Sequence, residues 1–215
     1  LRTSLENQTN DEEQIQGVFD QVVNGVPMYW GDQPGTSGPA YQGAVVIFLA
    51  ILGFFFANRK YRYWILGASV LSILLAWGSN FLPLSDVFID YVPLYNKFRA
   101  PSSILVVVEL LFPLIAIIGL YRFYNDDSSE LMTEAYKQKI LLYVGGGVLG
   151  FTLLIILFAK SLFGFENSSE TGKIPDFIMT VIKDERARML RIDAIKAFIY
   201  VLITFGVLFL SLKKK

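Results

Sequence analysis

The sequence of 215 residues contains no cysteine and no histidine. Their absence excludes disulfide bonds, a thiolate nucleophile, a Ser-His-Asp triad and a histidine-ligated zinc site within these residues. Catalysis by this chain would therefore depend on carboxylates, lysine, arginine, tyrosine or a bound cofactor. The chain begins with Leu1 and a polar stretch, not with methionine and a signal sequence. We therefore expect it to be the interior or C-terminal part of a longer parent chain.

Charged residues are also scarce, at 18% of the sequence, and 19 basic residues balance 19 acidic ones. A net charge of zero gives no general attraction to nucleic acid. Hydrophobic residues make up 53% and the mean hydropathy is +0.47, which a soluble domain would not readily bury. A backbone in lipid closes its hydrogen bonds internally, as a helix does. The composition predicts an all-α protein, a polytopic transmembrane helix bundle surrounded by membrane lipid, with no nucleic-acid partner.

Five apolar segments approach the roughly 20 residues that cross a hydrocarbon core about 30 Å thick. The predicted spans lie near residues 41–57, 63–82, 102–121, 140–159 and 194–212. They form a predicted transmembrane domain at 41–215. Residues 1–40 are predicted to be an extracytoplasmic segment, and the turn-forming stretch that contains Tyr29 and Trp30 predicts a loop at the membrane interface.

Basic residues near short loops predict the orientation, because they favour the cytoplasm. Those on one side of the predicted bundle are Arg59, Lys60, Arg62, Arg122, Lys137, Lys139, Lys213, Lys214 and Lys215. We therefore expect a multi-pass protein of the plasma membrane with a cytoplasmic C-terminus. The N-terminal segment and residues 90–101 and 160–193 then lie outside, although six basic residues in 160–193 oppose this assignment.

The segment at residues 90–101 is polar, aromatic and basic, and it separates the second and third predicted spans. Pro93 and Pro101 disfavour helical geometry in the residues before them, so we expect a shaped loop at the membrane surface. Its candidate ligands for a lipid phosphate are Tyr95, Asn96, Lys97 and Arg99. An arginine fork and a lysine point charge both suit phosphate oxygens. The alternative is that the two cations extend to ordinary lipid headgroups.

Glu109 is a charged residue inside the third predicted span, where an ionised carboxylate at the bilayer centre would cost about 3 kcal/mol. It has a candidate role in transport or catalysis. The alternatives are that it pairs with a basic group, faces a water-filled cavity, or stays protonated inside the bundle. Pro113 in the same span predicts a kink.

Three carboxylates of the outer loops, Asp32, Asp86 and Asp90, are candidate general bases or ligands of a divalent cation, because hard cations prefer oxygen. Their spacing indicates no particular arrangement, and solvated or turn-forming aspartates are the alternative. A divalent cation is the only cofactor considered. The sequence assigns neither a metal site nor a catalytic residue.

Two further patterns lie late in the chain. Gly146 and Gly150 form a small-xxx-small pair, which predicts the close approach of another helix. Apolar residues at 177–189 alternate at helical spacing with Arg186 and Arg188, which predicts a surface helix before the last span. These arginines are candidates to assist an anionic substrate, and solvated or lipid-facing charges are the alternative.

Three stretches together resemble a known family: Tyr29–Tyr41, Tyr95–Ser102 and Asp184–Asp193. The first two, YWGDQPGTSGPAY and YNKFRAPS, are similar to extracytoplasmic loops of bacterial YfhO-family membrane proteins. The third, DERARMLRID, resembles the approach of that family to a late span. The resemblance implies a large protein of the bacterial inner membrane whose fold is similar to that of C-type glycosyltransferases.

Such enzymes transfer a sugar from a polyprenyl-phosphate carrier outside the membrane. The resemblance implies that the catalytic carboxylate lies in an upstream loop that these residues do not include. By analogy with the fold, it also implies that Lys97 and Arg99 hold the carrier phosphate.

Three hypotheses about function follow. The first is part of a glycosyltransferase that uses a polyprenyl-phosphate-linked sugar to modify an envelope polymer or glycolipid. The second is a transporter or flippase for a lipid-linked or anionic solute, with Glu109 in the pathway and Pro113 as a moving part. The third is a non-catalytic scaffold of an envelope complex. Sugar transfer, Glu109-dependent flux, or a stable protein partner with neither activity distinguishes them.

Overall fold

The computed structural model describes Gly17, Trp30 and residues 41–93, 95–97, 101–125, 133–166 and 176–213. In these ranges the regular structure is helical and no strand occurs. The predicted all-α fold is therefore confirmed. Most of the predicted extracytoplasmic segment, residues 1–40, lies outside the described residues.

The described helices follow the apolar segments of the sequence. They are α1 (Ala44–Phe56), α2 (Arg59–Ala76), α3 (Leu82–Tyr91), α4 (Leu105–Asn125), α5 (Glu134–Leu162) and α6 (Asp176–Lys213). Short 3-10 turns occupy Gly78–Phe81, Tyr95–Lys97 and Pro101–Ile104.

Helix α3 replaces what the sequence predicts to be a loop after the second span. Its first turn contains Pro83, a residue that is favoured at the start of a helix. Leu84, Val87, Phe88 and Tyr91 then recur at helical spacing, a pattern that indicates a helix.

Among the described residues, three helices are long and apolar enough to cross a membrane: Ser102–Asn125, Glu134–Leu162 and Ile178–Lys213. This is fewer than the five spans predicted. Helix α1 has 13 residues and rises about 20 Å, less than the hydrocarbon thickness of about 30 Å. Helix α2 has 18 residues but begins with Arg-Lys-Tyr-Arg, so its apolar part is shorter still. The length and apolar composition of these three helices indicate a membrane protein.

The chain divides into two compact units. The core unit comprises residues 34–149 and 199–215, and the Trp30 unit comprises residues 1–33 and 150–198. Each unit is described separately below.

Helices α1 and α4 of the core unit approach each other at glycines. A Cβ built on Gly53 would lie 2.8 Å from the carbonyl carbon of Ile115, so no larger residue fits there without a shift. A buried cluster joins α1, α4, α5 and α6. Its members are Phe48, Leu52, Phe56, Phe123, Leu141, Val144, Val201, Leu208 and Leu212.

The predicted small-xxx-small pair is not where α5 makes its close contact. Gly146 and Gly150 have open space where a side chain would be, whereas a Cβ on Gly145 would lie 2.6 Å from Cε2 of Phe205. The close contact between α5 and α6 is therefore at Gly145, the first glycine of the Gly-Gly-Gly run.

One end of the core unit gathers several helix termini. Arg122 near the end of α4 donates a hydrogen bond to the Phe56 carbonyl oxygen of α1 at 3.1 Å. The ring of Tyr136 in the first turn of α5 lies 6.4 Å from the Phe56 ring. The Tyr124 hydroxyl donates to Ser211 Oγ of α6 at 3.2 Å.

The described cations of this basic end are Arg59, Lys60, Arg62, Arg122, Lys137, Lys139 and Lys213, which agrees with their predicted grouping on one side.

Helix α6 is one helix of 38 residues, about 57 Å long at 1.5 Å per residue. It is nearly twice the hydrocarbon thickness, so part of it extends beyond a membrane. Residues 177–189 are the first turns of this helix. The helix predicted at 177–189 is therefore present, but it is continuous with the last span and is not a separate element.

Candidate functional site

Residues 95–97 fold back on the helix that precedes them. Helix α3 ends at Tyr91, and Val92 before the proline is extended (φ −99°, ψ 113°), as expected for that position. The Tyr95 amide donates to the Val92 carbonyl oxygen at 3.2 Å, and the Tyr95 ring lies 5.4 Å from the Phe88 ring. These contacts give the middle of the segment a defined turn, as the sequence predicts, while its first two residues belong to α3.

Helix α3 presents apolar side chains to its surroundings. Ser85 is its buried residue, and the Ser85 hydroxyl donates to the Gly78 carbonyl oxygen at 2.8 Å. The exposed large hydrophobic residues of α3 are Leu82, Val87, Ile89 and Tyr91. A short helix with exposed apolar residues suits a membrane interface. Helix α3 holds Tyr95 through the contact of its Phe88 ring.

Two of the candidate phosphate ligands are described in full. Tyr95 and Lys97 share one 3-10 turn, and Lys97 is exposed. The Asn96 side chain and the whole of Arg99 lie outside the described residues. Lys97 is thus accessible to an anion, and the predicted clamp as a set stays a prediction.

The outer carboxylates are only partly described. Asp86 and Asp90 are exposed on α3, four residues apart and so on one helix face. Asp32 lies outside the described residues. In the described part of the chain, no group of three or more carboxylate, histidine or cysteine side chains could hold a metal ion. The predicted convergence of all three aspartates is therefore not tested.

Glu109 is half-buried on α4, four residues after the helix begins at Leu105. This places it about 6 Å along the axis of α4, and it is the eighth of the 24 residues of the span Ser102–Asn125, where an unpaired charge is costly. Its side chain makes no hydrogen bond or ion pair within the described residues. Pro113 lies inside α4, which stays one helix, and the predicted kink remains a prediction.

An aromatic cluster forms the centre of the Trp30 unit. The Trp30 ring lies 5.3 Å from the Phe163 ring and 4.8 Å from the Phe165 ring. Phe165 is buried with Ala187 of α6, and Leu190 of α6 packs against them. Residues from Tyr29–Tyr41 and Asp184–Asp193, two of the three stretches that carry the family resemblance, therefore meet in this cluster.

Charged side chains surround the aromatic cluster. Lys160 pairs with Asp184 at 2.8 Å, and Lys183 pairs with Glu166. These pairs join the end of α5 and the residues after it to the first turns of α6. The sequence groups these four residues together but does not pair them.

The two candidate arginines of α6 are bound to protein groups. Arg186 is buried, with 1% exposure, and its Nη1 donates to the Phe165 carbonyl oxygen at 2.8 Å. Arg188 is exposed and pairs with Glu185 at 2.8 Å. Arg186 therefore holds the chain around Phe165, whose φ of 53° is unusual for a residue with a side chain, and Arg188 is the arginine of this pair that an anion can reach.

Comparison of the chain with protein-family models, with curated proteins and with solved structures finds no match.

Proposed function

We propose that the chain is part of an integral membrane glycosyltransferase that uses a polyprenyl-phosphate-linked sugar to modify an envelope polymer or glycolipid. The observation that supports this proposal is the cluster in which Trp30 packs with Phe165, Ala187 and Leu190. It joins two stretches that resemble extracytoplasmic parts of YfhO-family proteins, in a unit rich in aromatic and charged side chains. A resemblance made of unrelated segments would give no reason for them to meet.

The chemistry proposed is displacement at the anomeric carbon of the sugar. The acceptor hydroxyl oxygen forms the new bond to that carbon, and the bond from the carbon to the phosphate oxygen breaks. A carboxylate outside these residues takes the hydroxyl proton. Lys97, with Arg99, stabilises the negative charge of the departing polyprenyl phosphate. The exposure of Lys97 on an ordered turn supports this role.

The proposed location is the bacterial inner membrane, with the N-terminal segment extracytoplasmic and the C-terminus cytoplasmic. The basic end of the core unit supports this orientation, since basic residues at helix ends favour the cytoplasm. The end of α1, the start of α2 and the end of α4 all lie there.

The test is the transfer of radiolabelled sugar from a panel of polyprenyl-phosphate carriers to an envelope acceptor by the full-length parent protein. The Lys97→Ala, Arg99→Ala variant should lose most of the transfer while it remains folded. The matched control is Lys139→Ala, Lys213→Ala, which removes two cations from the basic end and should retain the activity. No transfer by a well-folded parent protein across the carrier panel would overturn the proposal, and equal loss in the control would overturn the role of Lys97.

A second candidate function is a transporter or flippase for a lipid-linked or anionic solute. Glu109 supports it, because this carboxylate lies on a helix long enough to cross a membrane and has no partner within the described residues. Flux of solute or protons that Glu109→Gln abolishes, without any sugar transfer, would replace the first proposal with this one.

A further inference from the structure

One face of α2 is exposed along the whole helix. The opposite side of α2 packs on α4, where Ile65 is buried with Leu111 and Ile115. The residues of the exposed face recur at intervals of three and four: Arg59, Tyr63, Leu66, Val70, Ile73 and Trp77. From Tyr63 onward their exposed fractions lie between 36% and 62%. Because α4 is long enough to cross a membrane, this face of α2 points to lipid.

The chemical order along this face matches that of a phospholipid. A cation at the basic end is followed by an aromatic ring and then by aliphatic side chains, as headgroup, interface and acyl chain follow one another in a leaflet. The neighbouring row repeats the order with Lys60, Trp64 and Leu71. In this second row Gly67, between Trp64 and Leu71, has nothing within 4 Å of a Cβ built on it, which leaves room for an acyl chain beside the backbone.

The cations that begin the two rows are available to a ligand. Arg59 and Lys60 are exposed and make no ion pair or hydrogen bond within the described residues. By contrast, Arg62 and Arg122 donate to main-chain carbonyl oxygens at the end of α1, at 3.3 Å and 3.1 Å. Arg62 and Arg122 hold the connection from α1 to α2 in place. Arg59 and Lys60 therefore lie at the start of a helix whose position is fixed.

We propose that this face of α2 binds an anionic phospholipid, with the headgroup phosphodiester on Arg59 and Lys60 and an acyl chain along Leu66 and Val70. Charge complementarity selects the anionic lipid over a zwitterionic one. The basic start of α2, Arg-Lys-Tyr-Arg, favours headgroup depth, because charged side chains near helix ends extend to the interface.

Acidic residues also occur near the basic end. Glu134 is paired with Lys137 at 3.1 Å. The connector at 126–132, outside the described residues, carries Asp126, Asp127 and Glu130. Lys139 and Lys213 are described cations at the nearby ends of α5 and α6. Substituting them tests whether lipid binding depends on the cations of α2 or on the total charge of the basic end.

The experiment uses Trp64 as its reporter. Trp30 and Trp77 are the other tryptophans, so Trp30→Phe, Trp77→Phe leaves Trp64 as the emitter. The protein is reconstituted in phosphatidylcholine vesicles that contain increasing fractions of brominated phosphatidylglycerol or brominated phosphatidylcholine, and the quenching of Trp64 is compared. Each cation near an anionic lipid adds roughly fivefold to affinity, so for two cations we expect a preference for phosphatidylglycerol of roughly 25-fold.

The Arg59→Gln, Lys60→Gln variant should lose this preference, and the matched Lys139→Gln, Lys213→Gln variant should keep it. Salt of about 1 M, where the Debye length is roughly 3 Å, should weaken the preference in the protein with both α2 cations. Equal quenching by the two lipids overturns the proposal, and so does equal loss in both double variants. If the α2 variant does not fold by circular dichroism, the salt series decides: a preference that salt leaves unchanged overturns the proposal. Neither result depends on glycosyl transfer.

Discussion

Gly119 of α4 faces Gly53 of α1 so closely that a Cβ built on Gly119 would overlap the Gly53 Cα and lie 3.1 Å from the Gly53 nitrogen. Helices without a hydrophobic driving force between them depend on such close backbone packing in lipid. The contact lies beside the buried cluster that joins α1 and α4 to α5 and α6. It is therefore a determinant of how the core unit packs.

Gly119→Ala should lower the free energy of unfolding by about 1–3 kcal/mol, because the added methyl group forces the two backbones apart. The matched control is Gly146→Ala, whose Cβ would meet nothing within 4 Å. That change should be neutral or stabilise the helix by up to about 1 kcal/mol. Denaturant unfolding in detergent, followed by circular dichroism, measures both. Equal stability of the two variants would contradict the close contact.

Arg122→Lys should also destabilise the core unit, although it keeps the positive charge. Arg122 donates to the Phe56 carbonyl oxygen and to Asn58 Oδ1, and a lysine cannot reproduce that planar fork. The expected loss is about 1–3 kcal/mol, since a carbonyl at the end of α1 loses its donor. Lys139→Met removes an exposed cation of the same end and should change the unfolding free energy by no more than about 0.5 kcal/mol. Unchanged stability of Arg122→Lys, or an equal loss in Lys139→Met, would contradict this role of the guanidinium group.

The apolar runs of the sequence predict where the helices are, because the backbone has few alternatives in lipid. They do not predict the length of α6. The helical spacing at 177–189 predicts a helix there, but not that it continues without a break into the last span. Along this helix Arg188 pairs with Glu185 and Lys196 with Asp193 at i,i+3 spacing. Such pairs become visible only once the helix is known.

Contacts between distant segments could not be predicted from one sequence. Phe163 and Phe165 follow an apolar span and resemble its continuation, so nothing local marks them as partners of Trp30. Gly53 likewise lies in an apolar run, and its meaning depends on α4 lying beside α1. The turn after α3 was more predictable, because proline restricts the backbone of Val92 directly.

Trp30→Ala should loosen the Trp30 unit, because both ring contacts are lost and each aromatic pair contributes roughly 0.5–1.5 kcal/mol. Hydrogen exchange at residues 159–166 should rise by about tenfold or more, which corresponds to about 1.4 kcal/mol of lost protection. Trp77→Ala is the matched control, since Trp77 is half exposed and has an edge contact to Phe81 at 6.3 Å. Unchanged exchange in Trp30→Ala, or the same rise in both variants, would contradict the assignment of Trp30 to this cluster.

Glu109→Gln separates the two candidate functions without disturbing the fold. The side chain has no hydrogen bond or ion pair within the described residues, so the free energy of unfolding should change by no more than about 0.5 kcal/mol. If the chain is part of a glycosyltransferase that holds its carrier phosphate at Lys97, sugar transfer should persist in this variant.

Asp193→Asn, at an exposed carboxylate paired with Lys196 at 3.2 Å, is the control for loss of one negative charge. Sugar transfer and solute-dependent proton flux are measured in the same proteoliposomes. A folded Glu109→Gln protein that loses transfer while Asp193→Asn retains it would contradict this expectation and assign Glu109 to the carrier site, because the amide keeps the size of the side chain and removes only its charge.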